Sequence, residues 1–194
     1  MRSAFGAQGQ KCSACSRVYV ARGVKARFLE QLVEKTRKIQ IGDPLERDTY
    51  LGPVINEDSV RTYEGAVARA VKDGGVVLSG GRRVSGDAFD YGFFVEPTIV
   101  DGLPPSHPLF SEELFVPITL VATVDSLDEA MALANGTEYG LTAGIFSEDE
   151  AELARFFAGI EAGVTYANRR AGATTGAWPG ITLTMARWRM PARR

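Results

Sequence analysis

Phe5-Gly6-Ala7-Gln8-Gly9-Gln10-Lys11-Cys12-Ser13-Ala14-Cys15-Ser16-Arg17 is the run on which the reading of this chain turns. A thiol that follows a flexible Gly-Gln turn and precedes small, helix-tolerant residues is expected to stand exposed at the start of a short helical turn. Unpaired backbone N–H groups and the helix dipole there favour a thiolate over a thiol. The same N–H groups are suited to stabilise an oxyanion developing on a substrate attacked by that sulfur. Lys11 and Arg17 add positive charge nearby, in the same direction. The alternative is that Cys12 is a small buried apolar group, as free cysteines often are.

Outward from that run, strand-like and helix-like patterns alternate, as in an α/β domain. Arg17 to Ala21 reads as a strand, and Val24 to Ile39 as a helix with Phe28, Leu29, Leu32 and Val33 on its buried stripe. Gly42-Asp43-Pro44 ends this region, and Asn56 is placed to cap a long helix to about Lys72. A strand at 76–78 follows, then a glycine-rich polar loop from Gly80 to Tyr91, then an apolar strand from Phe93 to Val100 interrupted by Pro97. Pro104, Pro105 and Pro108 make the next connection extended and non-helical. Pro117 to Val124 is a buried strand. Ser126 with Glu129, and Ser147 with Glu150, read as capping boxes that start helices near Leu127 and Glu148. Strands are expected at Thr142–Phe146 and at Gly163–Asn168.

Composition narrows the function classes. With 194 residues, 45% hydrophobic and 24% charged, there is material for one core. A net charge of −2 argues against nucleic-acid binding. No run approaches the roughly 18 apolar residues of a membrane span, and residues 1–6 lack the apolar core of an export signal. A reducing cytoplasm is the expected setting. Cys12 and Cys15 form a C-x-x-C pair, which raises a redox or zinc reading. Zinc is disfavoured because His107 is the sole histidine and no second cysteine pair exists, so no metal is expected. A thioredoxin-like site wants the pair directly after a strand, which is not where it lies. His107, in a proline-bracketed loop, reads as structural.

The run around Cys12 resembles the active-site cysteine signature of the aldehyde dehydrogenase superfamily. Further stretches similar to that family follow in order: Leu51-Gly52-Pro53-Val54, Val95-Glu96-Pro97-Thr98, Glu112-Glu113-Leu114-Phe115-Val116-Pro117, and Asn135-Gly136-Thr137-Glu138-Tyr139-Gly140-Leu141-Thr142-Ala143-Gly144. The similarity extends from about Ser3 to Gly180. It implies an α/β fold, a catalytic domain over 1–180 with a parallel or mixed sheet and helices on both faces. Residues 181–194, with Arg187, Arg189, Arg193 and Arg194 and no acidic residue, form a divergent basic tail, expected to be disordered.

The resemblance also implies a chemistry. Cys12 attacks an aldehyde carbon, the thiohemiacetal gives up hydride to NAD or NADP, and water releases the acid from a thioester. Glu113 and Phe115 fall on the family positions that bind the nicotinamide ribose hydroxyls and pack beside them. Val116 stands where relatives usually have glycine. The family's general base, a glutamate, and its oxyanion-hole asparagine precede the cysteine motif, as does the Rossmann-like cofactor domain. Eleven residues precede Cys12, so none of these is assigned and the isolated chain is expected to be inactive. Ser13 and the run Asn168-Arg169-Arg170-Ala171-Gly172-Ala173-Thr174-Thr175-Gly176 resemble the branch that oxidises glutamate semialdehyde, in equilibrium with 1-pyrroline-5-carboxylate, within proline catabolism. There a serine hydroxyl and a Gly-Ala loop hold the α-carboxylate, which makes Ser13, Gly172 and Ala173 the substrate candidates, with Gly176-Ala177 an alternative for the loop. The implied partner is a small-molecule aldehyde, with homo-oligomers in intact relatives. Two other readings stay open: a non-enzymatic remnant or partner of a full-length relative, and a thiol-redox module.

Overall fold

A computed structural model describes residues 1–169 of the chain. Gly172, Ala173, Gly176-Ala177 and the 181–194 tail lie outside the described residues. The fold gathers into two compact units, Met1–Thr123 and Val124 onward.

The first unit is built on a four-stranded mixed sheet. Its strands are β1 (Arg17–Ala21), β2 (Val76–Ser79), β3 (Thr98–Asp101) and β4 (Ile118–Val124), in the spatial order β1-β4-β3-β2. β3 and β4 run parallel, with Thr98 opposite Ile118 and Val100 opposite Leu120. β2 pairs antiparallel with β3 and carries an irregularity between Val77 and Ser79. A short helix α1 (Arg2–Phe5) and two longer ones, α2 (Lys25–Arg37) and α3 (Glu57–Lys72), complete the unit.

The period-two alternation of side chains on a strand decides which helix lies on which face. Val100, Ile118, Leu120 and Ala122 pack with Val60, Tyr63, Ala66 and Ala70 of α3. Ile99 and Val121 point the other way and pack with Leu32 of α2, flanked by Phe28, Leu29 and Val33. Helices therefore cover both faces, as the alternating pattern requires. Asn56 caps α3: its side-chain oxygen accepts from Ser59 N–H at 2.9 Å. Glu57 and Asp58 in the first turn, with Arg69 and Lys72 in the last, complement the helix dipole.

In the second unit, α4 (Leu127–Asn135) and α5 (Glu150–Gly159) accompany two parallel strands, β5 (Thr142–Ile145) and β6 (Val164–Ala167). Phe156, Ile160 and Ala162 form a small core with Ala143 and Ile145. Asn135 ties the end of α4 to the end of α5, donating to Gly159 C=O and accepting from Glu161 N–H, each at 2.9 Å.

Four local expectations are corrected. α5 starts at Glu150, because Asp149 rather than Ser147 is its cap and accepts from Ala151 N–H at 2.7 Å. At α4, Ser126 caps as expected, but the Glu129 carboxylate accepts from Asp125 N–H, one residue before the cap. The third strand begins at Thr98, after Pro97, which has no N–H for a ladder. The proline-rich connection contains a 3₁₀ turn at Pro108–Phe110, capped by His107 Nδ1 accepting from Leu109 N–H at 3.2 Å.

Candidate active site

Cys12 is solvent-exposed, on a tight turn closed by Ala14 N–H donating to Lys11 C=O at 2.8 Å. The helical turn expected to start there is absent. Helical structure comes before the thiol, at Arg2–Phe5 and as a 3₁₀ turn at Gly6–Gly9, so no helix starts at Cys12. Exposure comes instead from an unusual backbone. Ala7, Gln8 and Gly9 have φ of 53°, 57° and 68°, three left-handed residues in succession. For an L-residue that region costs about 1 kcal/mol or more. Gly9 has a further constraint: a Cβ there would lie 2.5 Å from the Val116 carbonyl oxygen.

Side chains hold this segment. Gln8, with its amide oxygen towards Gly52, accepts from Gly52 N–H at 2.8 Å and donates to Ala7 C=O at 3.1 Å. Gln10 donates to Ser59 Oγ at 3.1 Å and accepts from Ile55 N–H at 2.9 Å. Beyond the thiol, Cys15 N–H donates to Ser3 C=O at 2.8 Å, and Thr119 Oγ1 donates to Cys15 C=O at 3.0 Å. Leu120 N–H then donates to Ser16 C=O, where β1 joins β4. Phe5, fully buried, anchors the start of the run.

The two cysteines are free and sit in different surroundings. Cys15 packs against the α2-side core, and burial pushes its thiol up from the usual value. Cys12 faces water. Ser13, beside it, is buried at 5% exposure.

Glu113 and Phe115 stand on the loop that enters β4, and the Cys12 loop enters the neighbouring β1. The two loops touch where Gly9 meets Val116 and Pro117. Glu113 is exposed, and the Phe115 ring is 42% exposed on a left-handed backbone with φ of 55°. Because the positive φ falls on Phe115, the β-branched Val116 is accommodated, buried at 4% exposure. Glu112 is occupied elsewhere: both its oxygens accept from Arg69 of α3, which fixes this loop to the helix. An exposed carboxylate next to a half-exposed ring fits a vicinal diol, since one carboxylate accepts two hydroxyl hydrogen bonds while the ring shields one side. Asn168, with φ of 54°, brackets Ser147 at both its N–H and C=O and so closes the β5–β6 end.

Sequence reasoning overlooked Gln8 and Gln10. The available signal was two glutamines flanking one glycine just before the thiol; their partners, 45 to 49 residues away for Gln10, are visible only in the fold. Among the described residues, no cluster of three His, Cys, Asp or Glu is placed to hold a metal, and no helix is long and apolar enough to cross a membrane.

A model of the aldehyde dehydrogenase family matches residues 1–183. The chain belongs to the aldehyde dehydrogenase family. This aldehyde dehydrogenase sequence is 40% identical over 164 residues to a betaine aldehyde dehydrogenase of Mesorhizobium japonicum, covering 84% of the chain and 34% of that protein. It is 34% identical to an alpha-ketoglutaric semialdehyde dehydrogenase of Bacillus subtilis, covering 85% of the chain and 34% of the relative. Among solved structures, a 3,6-anhydro-L-galactose dehydrogenase in complex with NAP superposes with a TM-score of 0.86 at 34% identity, covering 89% of this chain and 36% of that one. A betaine aldehyde dehydrogenase from Staphylococcus aureus in complex with NAD+ gives 0.82 at 32% identity, over 87% of this chain and 33% of its own length. The chain thus spans about a third of the length of the curated relatives it matches.

Proposed function

We propose that these residues form the thiol-bearing part of an NAD(P)-dependent aldehyde dehydrogenase. The observation that carries the reading is an exposed Cys12 on a turn whose supporting loop abuts the one bearing Glu113 and Phe115. Cys12 adds to the aldehyde carbon as a thiolate, forming a C–S bond and an oxyanion, with its own backbone N–H as a stabilising donor. Glu113 accepts hydrogen bonds from the ribose hydroxyls of the dinucleotide, and Phe115 packs beside them. The nicotinamide supplies the hydride acceptor. Relatives with NAD+ or NAP in their structures support this choice of cofactor. The sulfur must stay reduced, which suits a cytoplasmic setting, and homo-oligomerisation belongs to the same proposal through the family resemblance.

Two substrate classes are distinguished by charge. An acidic semialdehyde, glutamate semialdehyde with its 1-pyrroline-5-carboxylate form, is supported by the resemblance carried by Ser13 and the 168–176 run, and an acidic relative substrate is named in the Bacillus protein. A cationic aldehyde is supported by the betaine aldehyde dehydrogenases among the relatives.

The test is protection of Cys12 from iodoacetamide by each aldehyde, because a thiohemiacetal sulfur cannot be alkylated. Peptide masses should show dose-dependent protection, and the aldehyde that protects at the lowest concentration identifies the class. Failure of glutamate semialdehyde, alpha-ketoglutaric semialdehyde and betaine aldehyde alike to protect would overturn Cys12 as nucleophile. The 194 residues alone are expected to reduce no NAD, since the family's glutamate base is assigned to none of them. Turnover comparable to a full-length relative would refute that.

A further inference from the structure

We propose that Gln10 is a positioning residue for attack by Cys12, its side-chain amide clamping the thiol-bearing turn onto the N-terminus of α3. This rests on the reading of Cys12 as the nucleophile and assigns how that nucleophile is held.

The turn has two fixed ends. On the C-terminal side the Cys15 backbone is held at both N–H and C=O, by Ser3 and Thr119. On the N-terminal side the chain arrives through three left-handed residues, a path that local preference does not sustain. Gln10 follows directly on that path, its side chain bonded to Ile55 and Ser59, and only Lys11 separates it from Cys12. Removing its clamp takes away a long-range anchor on the N-terminal side of the thiol.

The partners dictate an amide. Ile55 N–H precedes the Asn56 cap and needs an acceptor, which Gln10 Oε1 supplies at 2.9 Å. Ser59 Oγ already donates to Asn56 Oδ1 at 3.1 Å, so towards Gln10 it must accept, and Gln10 Nε2 supplies the donor. One side chain must therefore present a donor and an acceptor at once, on a stem of two methylenes. Glutamate satisfies Ile55 but sets an acceptor against Ser59, whose hydroxyl would have to abandon Asn56. Alanine satisfies neither.

The consequence is geometric. An attacking atom misplaced by about 1 Å loses up to about 100-fold in rate towards a carbonyl that needs a defined approach. Alkylation of the same sulfur by a small, freely approaching reagent makes no such demand. The two reactions separate orientation from thiolate availability.

The experiment compares the chain with Gln10→Ala, Gln10→Glu and Ser59→Ala variants, using p-nitrophenyl acetate and iodoacetamide. In the first reaction the Cys12 thiolate forms an S–C bond to the acetyl carbon, the ester C–O bond breaks and p-nitrophenolate leaves with the electron pair. Acetylation is read by phenolate release and by the mass of the Cys12 peptide. For Gln10→Ala the expected result is acetylation slowed about tenfold with alkylation changed less than about twofold. Gln10→Glu should recover part of the acetylation rate. An unchanged acetylation rate overturns the proposal, and so does a parallel fall in both rates, which marks a merely structural role. If Gln10→Ala does not fold, Ser59→Ala decides: it keeps the Ile55 bond and should slow acetylation about threefold, whereas the unmodified rate overturns the clamp. An unmodified chain that is not acetylated at Cys12 overturns the nucleophile and the clamp together. One that is acetylated equally with and without Gln10 overturns the clamp alone.

Discussion

Tyr63 is fully buried in α3, and its hydroxyl joins three segments. It donates to Glu96 C=O at 2.9 Å, lies 2.6 Å from Thr98 Oγ1 and accepts from Gly81 N–H at 3.0 Å. Thr98 N–H in turn donates to Pro117 C=O at 2.8 Å, next to the contact that Gly9 makes. Burial pushes the phenol up from 10.0 to about 12, although the bonds from Thr98 and Gly81 pull the other way. The sign follows from linkage. A group whose acidity is weakened by folding lends stability in full below its unfolded value, and loses it as pH rises from 10.0 towards about 12. Tyr63→Phe should cost about 0.5–1.5 kcal/mol near neutrality, the net worth of the lost hydrogen bonds, because Gly81 N–H keeps Thr98 Oγ1 as an acceptor at 2.9 Å. Above pH 10 the gap between the two proteins should narrow in parallel urea melts; a gap constant up to pH 12 would refute the account. At this scale the sequence offers candidates where a motif lies in one run, as with Cys12 and Glu113, both of which are exposed. It was silent on Tyr63 and Gln10, whose roles depend on partners that only the fold brings near.

The elements follow their local signals wherever one signal stands alone. Asn56 has no rival acceptor ahead of Glu57, and α3 begins where a cap was expected. Around α5 two signals compete. Ser147 is drawn into another arrangement, its N–H bonded to Asn168 Oδ1 at 3.0 Å and its hydroxyl donating to Glu152 at 2.5 Å. Asp149, freed for the cap, accepts from both Ala151 and Glu152 N–H. The periodic pattern therefore identified the helix but not its first residue, since the choice of cap was settled by β6 through Asn168. Asp149→Ala is expected to destabilise the second unit by about 1 kcal/mol, the usual loss of an N-cap. Ser147→Ala removes the hydroxyl that Asp149 N–H donates to at 3.1 Å, and should cost less. Hydrogen exchange of the amides at 151 and 152 reads the difference, and equal protection in both variants would count against Asp149 as the cap.

Across the whole molecule, the sheet of the first unit is the frame from which both site loops leave. The apolar runs of β3 and β4 could be read as buried strands, while helices on both faces are implied by the family resemblance. The left-handed approach to Cys12 could not be read, because nothing in Ala7-Gln8 favours positive φ; it is imposed by Gln8, Gln10 and the close fit of Gly9 on Val116. If the two faces are separate cores, they should respond separately. Ile99 belongs with α2 and Leu120 with α3, and both are at most 2% exposed. Ile99→Ala and Leu120→Ala should each cost about 2–5 kcal/mol, the range for a large aliphatic side chain removed from a packed interior. Their side chains belong to different clusters, but their strands are paired, so the double variant should depart from the sum by no more than the coupling carried through the shared backbone, about 0.5–1 kcal/mol. Their effects on the site should differ as well. Ile99 packs in the cluster that also holds Phe5 and Cys15, on either side of Cys12, so repacking around Ile99 reaches the thiol, while the Leu120 side chain faces the α3 core and its N–H bond to Ser16 C=O survives truncation. Acetylation of Cys12, measured well below each variant's melting transition, should therefore slow more in Ile99→Ala than in Leu120→Ala. Equal rates in the two would mean that the loop is positioned by its own clamps, Gln10 foremost, and not by the sheet beneath it.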